Sequence, residues 1–315
     1  MRNPRHYLLL FLKGIAMGAA DVVPGVSGGT IAFISGIYTE LIDAIKSLNL
    51  HAVKILRGEG FAAAWRYING NFLFTLLGGV LTSVFSLAKV MQYLLIEHPL
   101  PLWSFFTGLI IGSVIYLLRQ NPPQRVVDKG LLALGITVAY GIAIAPSLTL
   151  HGDHLTMFFA GTIALCAMIL PGISGSFILV LLGLYPFFIG AIVSFQIDIL
   201  AVFALGGLIG LMAFSRLLSW LLNHYQAAVI ATMCGFLIGS LNIIWPWKQA
   251  IETTISHSGK TLVLASKNLL PNQFATLGQD PQIAACLTAF FLALILVLGL
   301  EYIGQKYSKK SVSAA

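Results

Sequence analysis

Six stretches of this chain stay apolar for about twenty residues at a time, near 72–95, 101–119, 130–148, 199–222, 226–245 and 282–303. A helix of about twenty residues crosses the ~30 Å hydrocarbon layer of a bilayer, and a soluble core does not call for repeated runs of that length. Lipid offers no hydrogen bonds, so each run must satisfy its own backbone, and helix is the form that does so segment by segment. The fold class predicted is therefore an all-α polytopic membrane protein. Composition agrees: 58% of the 315 residues are hydrophobic and 9% are charged, against roughly 25% charged in a soluble domain. A soluble enzyme, a secreted disulfide scaffold and a disordered tail are excluded. The formal charge of +7 would point to nucleic acid in a soluble protein. Here no soluble domain remains to hold a basic groove, so the charge reads as an orientation signal and nucleic acid is excluded. Cys166, Cys234 and Cys286 fall inside apolar stretches without disulfide or metal spacing. The N-terminus imitates a signal peptide, but Lys13 cuts its apolar stretch to about six residues, so it reads as retained.

Two further regions, 7–46 and 155–195, are apolar but broken in the middle. The first break reads Pro24, Gly25, Val26, Ser27, Gly28, Gly29 and the second Pro171, Gly172, Ile173, Ser174, Gly175, Ser176. Each leaves two arms of about 14–18 residues, the length of re-entrant segments rather than of independent spans. Basic residues order this layout. With the N-terminus inside and each broken region entering and leaving on one side, the inner connections carry Arg2, Arg5, Lys46, Lys54, Arg57, Arg66, Arg119, Arg125, Lys129, Lys306, Lys309 and Lys310. The outer connections near 96–100, 149–154 and 194–198 carry no Lys or Arg. Both termini are then cytoplasmic, and only the loop at 246–281, with Lys248, Lys260 and Lys267, departs from the pattern.

The two broken regions are copies of one another. Gly14 to Ile45 aligns without gaps on Gly161 to Ile192, pairing Pro24 with Pro171, Gly25 with Gly172, Ser27 with Ser174, Gly28 with Gly175, Gly36 with Gly183 and Tyr38 with Tyr185. The match resumes with Lys89 on Arg216, Tyr93 on Trp220, and 107–113 on 234–240. Three full spans separate the breaks, an odd number, so the repeats are predicted to face opposite sides and to meet near the midplane. Repeat 1 covers 7–119, a linking helix 130–148, repeat 2 155–245, and a last helix 282–303, all in one membrane domain.

Free N–H groups at the helix start, a Ser hydroxyl and the macrodipole favour an anion at each break. Pro24, Gly25, Ser27, Gly28, Gly29 and Thr30, with Pro171, Gly172, Ser174, Gly175 and Ser176, are the candidate binding residues. Lys89 and Arg216, at matched intramembrane positions, would supply one cation near each face. Snorkelling to headgroups is the plainer account of both. Asp21 and Glu40 are candidate coupling residues; Asp21 has Met168 as its counterpart, an asymmetry that points to ion coupling rather than scaffolding, with capping or a salt bridge to Lys13 as the alternative. Glu40 and Asp43 could equally reach the interface. His151, Asp153 and His154 read as loop polarity, not a metal site, and spacings such as Gly108/Gly112 and Gly235/Gly239 as close helix contacts. There is no P-loop or HExxH, and no cofactor or catalytic residue is expected.

The string GIAMGAADVVPGVSGGT at 14–30, continued through Gly36, Tyr38 and Glu40, resembles the PopT-type polyprenyl-phosphate translocases of the bacterial cytoplasmic membrane, over essentially the whole chain. The resemblance implies return of undecaprenyl phosphate, the cell-wall carrier lipid, from the outer to the inner leaflet. An anion moving inward works against a negative-inside potential, so a proton or Na⁺ is the expected coupling partner, and a homo-oligomer is left open. The PGxS element is also similar to the PGxSRS of undecaprenyl-diphosphate phosphatases. There an arginine holds phosphate beside a glutamate-rich helix; here Gly28 and Gly175 stand in the arginine's place and no paired-glutamate helix follows. Transport is favoured over hydrolysis, and an ion-coupled carrier of a small anionic solute is the third class.

Overall fold

The computed structural model describes residues 4–21, 27–145, 148, 150, 152–255 and 261–312. Helices α1 (Pro4–Asp21), α2 (Gly28–Ile34), α3 (Tyr38–Ser47), α4 (Leu50–Gly58), α5 (Phe61–Tyr67), α6 (Gly70–Glu97), α7 (Pro99–Gln120) and α8 (Val126–Ile144) make up the first half. Then follow α9 (His154–Ile169), α10 (Gly175–Leu181), α11 (Tyr185–Val193), α12 (Ile197–His224) and α13 (Gln226–Ile244). A hairpin of β1 (Lys248–Ile255) and β2 (Thr261–Asn268), a short α14 (Pro271–Thr276) and the long α15 (Ile283–Val312) complete the chain.

Among the described residues α7, α8, α12 and α13 are long and apolar enough to cross a membrane. The other two expected spans are α6, of 28 residues, and α15, of 30, whose described apolar portions are Gly70–Ser83 and Ile283–Gly299. The span predicted at 130–148 sits four residues earlier. Arg125 N–H donates to the Asp128 carboxylate at 3.3 Å and starts the helix sooner. Ala145, preceding Pro146, is extended as a pre-proline residue tends to be.

The second arm of each broken region is not one helix but two. Gly36, at φ +73°, separates α2 from α3, and Gly183, at φ +72°, separates α10 from α11. The hydrogen bonds match residue for residue: Gly36 N–H to Phe33 O and Ile37 N–H to Ala32 O, against Gly183 N–H to Val180 O and Leu184 N–H to Leu179 O. This is the Schellman closure, which needs a left-handed residue that glycine adopts without strain.

Four helix pairs carry the packing: α1 with α6, α9 with α12, α7 with α15 and α8 with α13. Glycine lets the backbones touch. Gly14 and Gly79 sit on the carbonyls of Leu76 and Phe11, and Gly161 and Gly206 sit likewise on Phe203 and Phe158. Gly108 abuts the carbonyl of Phe290 on α15 and Gly235 that of Leu132 on α8; Gly112 faces Leu294 and Val297, and Gly239 faces Ile136 and Ala139. The expected close contacts of Gly108/Gly112 and Gly235/Gly239 are thus present, and each is made with a helix from the other half of the chain. A shared core of buried side chains from α6, α7 and α13, including Phe72, Leu76, Ile110, Met233 and Leu237, runs between the pairs.

Within the segment 246–281, unexplained by sequence, β1 and β2 pair antiparallel and are tied back to the end of α13. Trp245 Nε1 donates to Leu269 O at 2.8 Å, Trp247 Nε1 to Pro281 O at 2.9 Å, and Lys248 Nζ to Ile243 O while lying 5.6 Å from the Trp103 ring centroid. Burial pushes the Lys248 amine down to about 8. The three cationic groups that sequence put on an outer loop therefore include one that closes a helix end.

An added methyl at Gly235 would overlap backbone of α8, whereas Gly141 on the same α8 has open space around it. Gly235→Ala is expected to destabilise the protein by about 1–3 kcal/mol through overpacking, seen as a lower unfolding temperature in detergent, and Gly141→Ala is expected not to lower it.

Candidate functional site

The two breaks meet. Ser27 opens α2 as its N-cap: its Oγ accepts the Gly29 N–H at 3.1 Å and donates to the carbonyl of Met168, at the end of α9, at 2.8 Å. One turn on, Thr30 Oγ1 accepts the N–H of Gly172, inside the second break, at 2.9 Å. Tyr38, at the start of α3, donates its hydroxyl to Ile169 O at 3.1 Å. All three side chains are buried. The approach is close enough that a Cβ on Gly29 would lie 2.5 Å from Ile169 O and 2.7 Å from Met168 O, so glycine is required there. Orphan carbonyls at the end of α9 and an orphan amide after Pro171 are thereby satisfied by side chains of the first break, in a medium where leaving them unpaired would cost several kcal/mol each.

The first break also satisfies itself. Asp21, the last residue of α1, accepts the Gly28 N–H on Oδ1 at 2.6 Å. Its carboxylate therefore occupies the place an incoming anion would take at the start of α2. At the other end Lys13 Nζ donates to Ser35 O, the C-cap of α2, at 2.6 Å. A carboxylate at the N-terminus and an ammonium at the C-terminus both oppose the helix dipole of α2. Neither exists in the second half, where the matched residues are Met168 and Ala160.

The second break is differently furnished. Ser174 makes no cap to the α10 backbone; its Oγ pairs instead with the Oγ of Ser176 at 2.9 Å, and Ser176 is exposed. Gly172 takes φ +85°, which a non-glycine residue adopts only under strain, and Pro171 is fully buried. Gly175 lies against Ala164 O, where a Cβ would come within 2.5 Å.

Of the residues predicted from sequence, Ser27, Gly28, Gly29, Thr30, Gly172, Ser174, Gly175 and Ser176 belong to this junction or its edge. Pro24 and Gly25 lie outside the described residues. Lys89 and Arg216 occupy the same position in two helices of 28 residues, α6 and α12. The Lys89 side chain lies outside the described residues, and Arg216 is exposed, with no hydrogen bond or ion pair among the described residues. Glu40 is in the first turn of α3 and accepts from Asn69 Nδ2 at 2.8 Å, which ties it to the start of α6. Asp43 accepts from Ser219 Oγ at 2.7 Å, and Lys46 donates to the same hydroxyl at 3.1 Å, fixing α3 to α12. His151 lies outside the described residues; His154 pairs with Asp198 at 3.0 Å. No group of three His, Cys, Asp or Glu could hold a metal among the described residues.

Sequence reasoning missed Tyr38 and Lys13 as parts of the site. The identity of Tyr38 with Tyr185 was the available signal for the first, and a lysine more than two turns inside an apolar helix the signal for the second. Tyr38 also lines a cavity of about 90 Å³ between the α2–α3 turn and the α12–α13 connection, with Phe33, Thr39, Leu222, Gln226 and Ile230.

Comparison with known proteins places the chain. The family described as undecaprenyl phosphate translocase-like matches residues 17–262. A polyprenyl-phosphate transporter of Vibrio cholerae is 47% identical over 306 residues, covering 97% of this chain and 98% of the relative. A polyprenyl-phosphate transporter of Staphylococcus aureus is 35% identical over 253 residues, covering 75% and 85%. No solved structure matches. With the family model matching residues 17–262 and a 47% identical relative along 97% of its length, the chain belongs to the undecaprenyl phosphate translocase-like family.

Proposed function

We propose that this protein translocates a polyprenyl phosphate, specifically undecaprenyl phosphate, from the outer to the inner leaflet of the bacterial cytoplasmic membrane, so that the carrier lipid returns to cell-wall synthesis. The observation that carries this reading is the junction of the two breaks, in which Ser27 and Thr30 of one bond Met168 and Gly172 of the other. Together with relatives named polyprenyl-phosphate transporters, it supports a single anion site shared by both halves. The two halves form an inverted repeat in this reading, with both termini cytoplasmic. The matching contacts of α8 on α13 and of α15 on α7 support a repeat that also includes these two helices.

The phosphate is received at the second break. The first already holds the Asp21 carboxylate, and the hydroxyl hydrogens of Ser27 and Tyr38 go to carbonyls of the second. Ser174 and Ser176, whose hydroxyls pair with each other, can turn one hydroxyl toward a phosphate oxygen. Lys89 draws the headgroup in from one face and Arg216 receives it at the other, while the isoprenoid tail stays in lipid. Before one anion binds, the other must be accommodated: Asp21 is released from Gly28 when it takes up a proton or Na⁺, freeing the first break as the two halves rock.

Such coupling answers an energetic need. A phosphomonoester carries about −1.5 to −2 charges near neutrality, and moving each inward against a negative-inside potential costs about 2.3 kcal/mol per 100 mV. An accompanying cation offsets that cost. The reading is transport and not hydrolysis, because neither break carries an arginine after its serine.

In proteoliposomes loaded with undecaprenyl phosphate, the protein is expected to speed transfer between leaflets without releasing inorganic phosphate from the diphosphate lipid. Phosphate release would replace the transporter by an enzyme, and cells lacking the protein should display more of the lipid at their surface. Arg216→Gln, at an exposed side chain, is expected to slow transfer at least tenfold, which is about 1.4 kcal/mol, with no change in unfolding temperature; unchanged transfer would remove Arg216 from the site. Thr30→Val leaves the Gly172 amide buried and unpaired and is expected to cost about 1–3 kcal/mol of stability together with transfer, and Thr30→Ser is expected to restore both.

A further inference from the structure

Between α3 and α6 the chain builds a helical hairpin that has no counterpart in the second half, where α11 is followed almost at once by α12. No residue of α4 is buried. Leu50, Val53 and Leu56 are 79%, 43% and 46% exposed, and Phe61 on α5 is 68% exposed. At 100° per residue His51, Lys54 and Arg57 share one flank of α4, and Val53 and Leu56 lie beyond it. Arg66, on α5, is exposed as well.

This hairpin is ordered. Asn49 caps α4 by accepting from His51 N–H and Ala52 N–H at 2.9 and 3.1 Å and donates Nδ2 to the Tyr67 hydroxyl at 3.3 Å. The His51 and Tyr67 rings meet edge-on at 5.3 Å, and Gly60 turns the chain at φ +87°. An ordered helix with exposed leucine and valine and no acidic residue must lay that surface against something.

The neighbouring contacts say what. Phe61, Trp65 and Phe74 form a ladder with ring centroids 5.4 and 6.3 Å apart. Phe74 stands on α6, one turn into the apolar helix, and is 71% exposed. Trp65 is held to the top of α6 by its Nε1 on Asn71 Oδ1 at 2.8 Å, with its ring over Gly70. The exposed apolar surface of the hairpin is thus continuous with the lipid-facing surface of α6, and tryptophan sits where such rings mark the membrane boundary. The cations beside it complement anionic headgroups and would repel a basic partner.

We propose that α4 and α5 are an interfacial anchor that lies in the membrane surface at the start of α6 and binds anionic phospholipid headgroups through Lys54, Arg57 and Arg66. The anchor holds α3 and α6, and with α3 the Asp43–Ser219–Lys46 contact to α12, at a fixed depth. This rests on the membrane nature of the chain and not on the polyprenyl-phosphate reading, so either can fail alone.

Full-length protein in nanodiscs of phosphatidylcholine, and of an equal mixture with phosphatidylglycerol, tests it by amide hydrogen exchange at residues 50–67. Each cation near an anionic surface is worth about a fivefold change, so exchange is expected to slow on the order of a hundredfold in the anionic discs. K54Q/R57Q/R66Q, altering exposed side chains only, is expected to erase that difference with exchange in α7 and α13 unchanged. Equal exchange of the unaltered protein in both lipids, as an occupant other than anionic lipid would give, overturns the proposal, and so does a lipid dependence that survives in the triple variant.

Discussion

A broken helix inside an apolar medium leaves amides and carbonyls that nothing but the protein can satisfy, and the rest of this structure follows from how that is done. The carbonyls of Met168 and Ile169 and the amide of Gly172 are met by Ser27, Tyr38 and Thr30 across the junction. Because each partner comes from the other half of the chain, the second break is not complete alone. Shifting one half relative to the other exchanges these bonds for others or for solvent and ligand. A junction that is satisfied only when assembled is therefore also the place where a polar ligand finds groups to replace.

The two halves are not equivalent at that junction. Asp21 and Lys13 brace the ends of α2, while Met168 and Ala160 leave α10 without a charge at either end. In a low-dielectric site, two anions at neighbouring helix starts repel strongly. A carboxylate at the first and a phosphate at the second are then mutually exclusive unless a cation intervenes. Under the proposed function this repulsion is the coupling: it relates lipid binding to the charge state of Asp21 without requiring a long-range pathway.

Much of this was legible in the sequence. Runs of about twenty apolar residues located the spans because the bilayer sets their length, and the paired PGxSG strings located the breaks because proline and glycine interrupt helices for steric reasons. What pattern reading lost was partnership. Ser27 looked like a donor for a ligand, yet its hydrogen is spent on Met168, 141 residues away. Gly36 and Gly183 were visible as a matched pair, but hydropathy continues unbroken through both, so the Schellman turns that divide each arm went unread. Glu40 accepts from Asn69, a contact that apolar patterning does not reveal. The hairpin at 248–268 escaped because alternation in two short strands is faint beside long helices.

The exchange of α8 and α15 bears on how such a molecule can move. α8 follows the first half in sequence and packs through Leu132 and Ile136 on Gly235 and Gly239 of the second; α15 ends the second half and packs through Phe290 and Leu294 on Gly108 and Gly112 of the first. The backbone-to-backbone contacts at Gly108, Gly235 and Gly239 resist sliding, because no side chain there can rearrange to absorb a shift. Each half therefore carries a helix of the other as a rigid attachment, and relative motion is confined to the seams that lack glycine contacts. The junction of the breaks is such a seam in part: Gly29 touches Met168 and Ile169 closely, but hydroxyl bonds from Ser27, Thr30 and Tyr38 hold the rest, and hydroxyls can turn to a new acceptor. Under the proposed function, rocking about that seam leaves the glycine-to-backbone contacts of the helix pairs intact, and the site and the hinge are then the same place.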